Sequence, residues 1–169
     1  MALMIDPELK KTIDQMVASF TPVYQLWLGG QSDPQLPQKP EDCLAADVIK
    51  VGSYMLAADQ VSRALENKLL SEMVACLRTE YDHMPYDYEL AAIDSSLAEQ
   101  LTKEDGSTPI LLSQRVLRDW VEGHHGNRIL ANDLLKKFVE LANKLVIRDG
   151  RLTNEELERL GQLERHLSL

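Results

Sequence analysis

The chain has 169 residues, 44% of them apolar, which suits one domain with a sizeable core and argues against disorder. Its 27 acidic residues outnumber 18 basic ones, so a net charge of −9 disfavours phosphate backbones and anionic lipid and points to a partner with a basic surface, not to nucleic acid. Cys43 and Cys76 are too few for a disulfide framework, MALMIDPELKK lacks the basic-then-apolar pattern of a leader, and no apolar run reaches ~18 residues. The expectation is a cytoplasmic protein with no membrane insertion.

Apolar residues recur at three- and four-residue spacing nearly throughout, and period-two runs of β-branched residues and aromatics are almost absent, so the chain reads as all-α. Asp6-Pro7-Glu8 is a helix start, with Leu9, Ile13, Met16, Val17 and Phe20 on one face. Thr21-Pro22 repeats the start signal and predicts a break or kink there, followed by a short piece from Val23 to Leu28 that ends at Gly29-Gly30. Residues 29–42 hold three prolines and read as a strap between an N-terminal helical segment, 1–28, and a bundle over 43–169. The strap would hold the first helix on its own bundle, or let it exchange onto a neighbour as a swapped homodimer.

Leu44, Val48, Val51 and Met55 form one stripe and Leu65, Leu69, Met73 and Leu77 another. Two antiparallel helices joined at 59–62, with Ser62 as N-cap, fit better than one long helix. After a polar turn, Tyr81 to Tyr88, the residues Leu90, Ile93, Leu97 and Leu101 define a further helix, and Thr108-Pro109 starts the next, which carries Leu112, Val116, Leu117 and Trp120 and stops at Gly123. Gly126 precedes a stripe of Leu130, Leu134, Phe138, Leu141 and Leu145, and a last helix runs from Thr153 to about His166. About seven helices with short connections make an orthogonal or up-down bundle in a single domain.

The segment around Asp149-Gly150-Arg151-Leu152-Thr153 carries the most chemical information. Its plainest reading is structural: Gly150 ends one helix, Thr153 and Glu156 form a capping box for the next, and Leu152 with Leu157 form a hydrophobic staple. An acid, Gly, an apolar residue, Ser/Thr and then Glu is also the second half of a calcium-binding loop, but Leu145 and Ile147 would hold its first two ligand positions, which excludes a calmodulin-like site.

The same residues resemble the tellurite-resistance TerB-like helical family, with Asp149-Gly150, Leu152, Thr153 and Glu156 as the matching positions. Ala57-Ala58-Asp59, with Glu66 at the same offset of seven, is a degraded echo in which Gln60, Ser62 and Arg63 depart from the pattern. The resemblance covers two segments of about 25 residues each. It implies a helical stress-response protein that works through partners, with a divalent cation held by Asp149 and Glu156 at one site and by Asp59 and Glu66 at another. Such a site would need further carboxylates, for which Asp105, Asp133, Glu140 and Glu164 are candidates.

Other constellations are weaker. His124-His125 reads as an exposed turn, and Trp27 and Trp120 as core. Tyr81, Asp82, Tyr86 and Tyr88 are the candidate protein contact, because tyrosine is enriched in interfaces. No phosphate loop, nucleophile elbow or HExxH occurs, which favours a non-enzymatic adaptor, chaperone or secreted regulator over an enzyme with a spatially assembled site.

Overall fold

In the computed structural model the chain is described over residues 7–28, 39–58, 63–77, 97, 99–101, 110–123, 126–147 and 153–167, without the side chains of 28, 57, 58, 63–67 and 147. The fold is an all-α bundle, and among the described residues there is no strand. Six helices are described: α1 (Pro7–Leu28), α2 (Pro40–Ala58), α3 (Arg63–Ala75), α4 (Leu112–Gly123), α5 (Arg128–Ile147) and α6 (Asn154–His166). A seventh helical segment is described at Leu97 and 99–101, with Leu97 and Leu101 buried. Gly29–Gln38, Asp59, Ser62, Tyr81–Tyr88, Thr108-Pro109 and His124-His125 lie outside the described residues.

α2 is the axis of the bundle and packs against each of the other five helices. Its sequence explains why. Beyond the expected stripe of Leu44, Val48, Val51 and Met55, the helix also buries Cys43, Ala45, Ile49, Tyr54 and Leu56, so it is covered almost all round, as a central helix must be. Gly52 sits where α3 crosses: a Cβ there would lie 2.6 Å from Leu70 Cδ2 and 3.1 Å from Met73 Cε. Both atoms are ends of flexible side chains. Gly52→Ala therefore sets a helix-propensity gain of about 1 kcal/mol against an overpacking cost of about 1–3 kcal/mol. The expected net loss is about 1 kcal/mol, read as a lower urea midpoint at unchanged slope.

α1 corrects one expectation. It runs unbroken through Pro22 rather than breaking at Thr21-Pro22. Pro22 is on the solvent side and its i−4 partner Ala18 is exposed, so water can satisfy the carbonyl that the missing N–H leaves. The Thr21 hydroxyl donates instead to Val17 O, at 2.7 Å. The buried face of α1 is the predicted one, extended by Val23, Tyr24 and Trp27.

α2 begins at Pro40, so residues 40–42, read as strap, form its first turn, and the amides of Asp42 and Cys43 donate to Lys39 O. α4 begins at Leu112, later than Thr108-Pro109 suggests, because its first amides are capped by Asp47 of α2. α1 and α5 are antiparallel neighbours. Lys144 Nζ donates to Thr12 Oγ1 at 2.6 Å and to Glu8 O at 3.3 Å, and two turns further along Lys137 Nζ donates to Gln15 Oε1 at 3.0 Å. Burial alone would raise the Glu140 carboxyl, but hydrogen bonds from Lys137 and Lys144 outweigh it and hold the group below the usual range.

Candidate functional site

The α1–α5 register carries both helices to the same end of the bundle. The contact edge of α1 passes through Glu8, Thr12 and Gln15 and, at the same helical spacing, arrives at Ser19, Pro22 and Leu26. That of α5 passes back from Lys144 through Lys137 to Leu130. Continued at that spacing, the register brings Leu26 and Leu130 to the same end of the helix pair, about one helical turn apart along its axis.

The last turn of α4 closes on the same place. Trp27 Nε1 donates to Asp119 Oδ2 at 2.6 Å, and Gly126 N donates to Trp120 O at 3.0 Å in the turn between α4 and α5. Asn127 caps α5, its Oδ1 accepting from Leu130 N at 3.1 Å. Beneath the surface the end is well packed, with Trp27 buried, and Phe20, Tyr24 and Trp27 tilted against one another at ring separations of 5.5 and 5.6 Å. On it stand Leu26, 70% exposed, Ile129, 74% exposed, and Leu130, 40% exposed, with Pro22 also exposed.

Spacing alone puts Leu130 in the core stripe of α5. It lies one turn before that stripe becomes buried at Leu134 and is itself 40% exposed. The remainder of the stripe, Leu134, Phe138, Leu141 and Leu145, is buried as expected. Spacing sets Leu26 off the face defined by Phe20, Val23 and Trp27, but nothing comparable sets Ile129 and Leu130 apart, since the adjacent pairs Leu134-Leu135 and Leu145-Val146 of the same helix are both buried.

Charge around these side chains is mostly negative. The C-terminal poles of α1 and α4 meet here and neither last turn carries a basic residue, while Asp119, Glu122 and Asp133 are exposed nearby in sequence and fold. Arg118 pairs with Glu122, Nε to Oε1 3.4 Å. The opposing features are the N-terminus of α5, whose first turn has no acid, and Arg128.

The candidate metal residues fare differently. Thr153 and Glu156 make the predicted capping box: Glu156 N donates to Thr153 Oγ1 at 3.1 Å and Thr153 N donates to Glu156 Oε1 at 3.0 Å. Glu156 is fully buried, and its other oxygen, Oε2, has no hydrogen-bond partner among the described residues. Leu157, read as half of a staple, is 48% exposed, and Leu152 lies outside the described residues. Asp149, Asp59 and Asp105 also lie outside them, and Glu66 is placed on α3 without its side chain. Glu140 is engaged by Lys137 and Lys144, and Asp133 and Glu164 are exposed. Among the described residues no three His, Cys, Asp or Glu side chains converge as a metal cluster. Tyr81, Asp82, Tyr86 and Tyr88 lie outside the described residues.

Removing the Thr153 hydroxyl in Thr153→Ala breaks half of the capping box. The expected loss is about 1 kcal/mol by chemical denaturation, with Thr153→Ser close to wild type. A variant as stable as wild type would show the box to be dispensable.

Two potential nucleophiles are held inert. Burial first, then the nearby Asp47 carboxylate, pushes the Cys43 thiol far above its ordinary range, and burial with Cys43 and Asp42 nearby pushes the Tyr24 hydroxyl up to about 12. Both stay protonated at neutral pH. No helix among the described residues is long and apolar enough to cross a membrane. Compared with protein-family models, with curated proteins and with solved structures, the chain gives no match.

Proposed function

We propose that this protein is a non-enzymatic interaction module that docks another protein on the end of the bundle where α1, α4 and α5 converge. The observation that carries the reading is the exposure of Leu26, Ile129 and Leu130, which the α1–α5 register brings to one end of the bundle over buried Trp27. Single exposed leucines are ordinary; three large aliphatic side chains at one convergence of helices are the composition of an interface centre. The Tyr81 to Tyr88 segment is a second candidate contact in the same reading. A photo-crosslinking residue at position 26 or 129 is expected to capture a discrete protein, and one at Glu158 on exposed α6 surface is not. Equal capture at both places would remove the support for a dedicated surface.

A second reading, a divalent cation bound at the start of α6 in a TerB-like stress-response protein, is favoured by the buried Glu156 Oε2, unpartnered among the described residues. A carboxylate oxygen in that state gains most from a cation or a donor brought to it. Asp149 would complete the site, and Asp59 with Glu66 would form the related one. Titrating Ca²⁺, Mg²⁺ and Zn²⁺ while following the Glu156 amide by NMR tests it. Saturable shifts lost in Asp149→Asn support the reading; shifts unmoved by that substitution, or none, leave Glu156 a helix cap.

A further inference from the structure

Given a docking surface at this end of the bundle, on which the inference rests, the class of partner can be specified. We infer that the convergent end of α1, α4 and α5 receives a basic amphipathic helix from another protein, its apolar side on Leu26, Ile129 and Leu130. Three observations select that occupant.

The first is shape and chemistry. By register Leu26 and Leu130 fall on neighbouring edges of two antiparallel helices, with Ile129 beside Leu130, and a partner helix that presents apolar side chains on one face at i, i+3, i+4 and i+7 matches such a spaced set of anchors. The second is charge. The negative poles of α1 and α4 with Asp119, Glu122 and Asp133 outnumber Arg128, the positive pole of α5 and Arg118, which pairs with Glu122, so lysines or arginines beside the anchors meet a net opposite charge. The third decides between a foreign partner and a second copy of this chain. Two copies would bring together two bodies of net charge −9, whereas a basic helix is drawn in by the same field.

The chain supplies its own reporters. Its two tryptophans, Trp27 and Trp120, both lie beneath this end, so intrinsic fluorescence reads the site directly. The test uses the full chain and two synthetic amphipathic helical peptides of equal length and pattern, one of leucine and lysine, the other of leucine and glutamate. The leucine–lysine peptide is expected to change the fluorescence saturably and to shift the amides of Leu26, Ile129 and Leu130. Its affinity should fall about tenfold in the double variant Leu26→Gln, Leu130→Gln, which removes apolar surface without altering charge. Glu122→Gln with Asp133→Asn should weaken binding and flatten its dependence on salt. All four positions are exposed, so the variants keep the fold.

Other outcomes separate the occupant from the surface itself. If the peptide binds but its shifts fall elsewhere, or the double leucine variant binds equally well, the basic-helix occupant is wrong. If instead the chain self-associates, more strongly as salt rises, and Leu130→Gln abolishes it, the surface is an interface but its occupant is a second copy. If neither peptide nor self-association involves Leu26 and Leu130, and the crosslinker at 26 captures nothing, the docking reading fails with it.

Discussion

Asp47→Ala is expected to lower the stability of the fold by about 3 kcal/mol, more than any single cap contributes, because two helices depend on this one carboxylate. α4 starts at Leu112, and the residues just before it, Ile110 and Leu111, offer no N-cap side chain. Asp47 reaches across from the central helix α2: its Oδ1 accepts from Leu112 N at 2.8 Å and its Oδ2 from Ser113 N at 2.7 Å. Gln114 Oε1 accepts from the amides of Ile110 and Leu111, at 2.9 and 3.4 Å, and Lys50 Nζ donates to Ile110 O at 2.8 Å. Alanine would leave two amide donors at a buried helix start without acceptors, a cost of about 1–3 kcal/mol each. Relief of the desolvation of a fully buried carboxylate offsets part of it. Asp47→Asn, which can still accept one bond but turns an N–H₂ toward the second donor, should fall between the two.

The pH dependence follows from the same geometry. Burial pushes the Asp47 carboxyl above its ordinary value near 4, outweighing the Ser113 and Leu112 hydrogen bonds and the Lys50 charge that lower it. The folded state then holds this proton more tightly than the unfolded chain. Stability contributed at this site therefore falls as pH rises from the unfolded value through the folded one, and is level beyond. The stability gap between wild type and Asp47→Ala should be widest below that window and narrow across it. A gap that widens with rising pH would overturn the assignment of the shift to burial.

Gly126→Ala is the second large effect, at about 3 kcal/mol. A Cβ at this position would lie 2.3, 2.6 and 2.7 Å from three atoms of the Trp120 indole. In contrast to Gly52, the obstacle is a rigid ring rather than the end of a flexible chain, and Trp120 is half-buried in its helix. Gly126 N is also fixed to Trp120 O, so the turn cannot retreat without losing a hydrogen bond. Trp120→Leu removes the obstacle, and the double variant should recover about 1–2 kcal/mol relative to the sum of the single losses. Strict additivity would show that the turn relaxes away from the ring. Because α5 begins two residues after Gly126 and carries Ile129 and Leu130 in its first turn, Gly126→Ala should also disturb the amides of the docking surface.

Much of the architecture is legible because helical signals are local. The stripe from Leu9 to Phe20 and the stripe from Leu134 to Leu145 are read from spacing alone and are buried as spaced, Val17 only in part. The Thr153–Glu156 capping box is a pattern of residues three apart, and it forms. Pro22 misleads because a start signal inside a helix is ambiguous until one knows which way it faces. The full burial of α2 is understated by its sequence for a related reason: spacing shows one buried face, and only five neighbours bury the others.

The candidate site is hardly legible at all. Leu26, Ile129 and Leu130 come from two helices separated by about a hundred residues, and what marks them is exposure after packing, which no pattern in either helix reveals by itself. Asp47 is hidden in the same way, since its partners lie 65 and 66 residues away. The sequence by itself determined the helical class, the faces that seek a core and the caps built from neighbours three residues apart, because each depends on interactions within one or two turns. The tertiary structure alone decided which acid caps which helix, which leucines remain in solvent and where the poles of three helices meet. Those depend on how separate amphipathic faces share a single core, and the energy that selects that arrangement is spread over contacts distant in sequence.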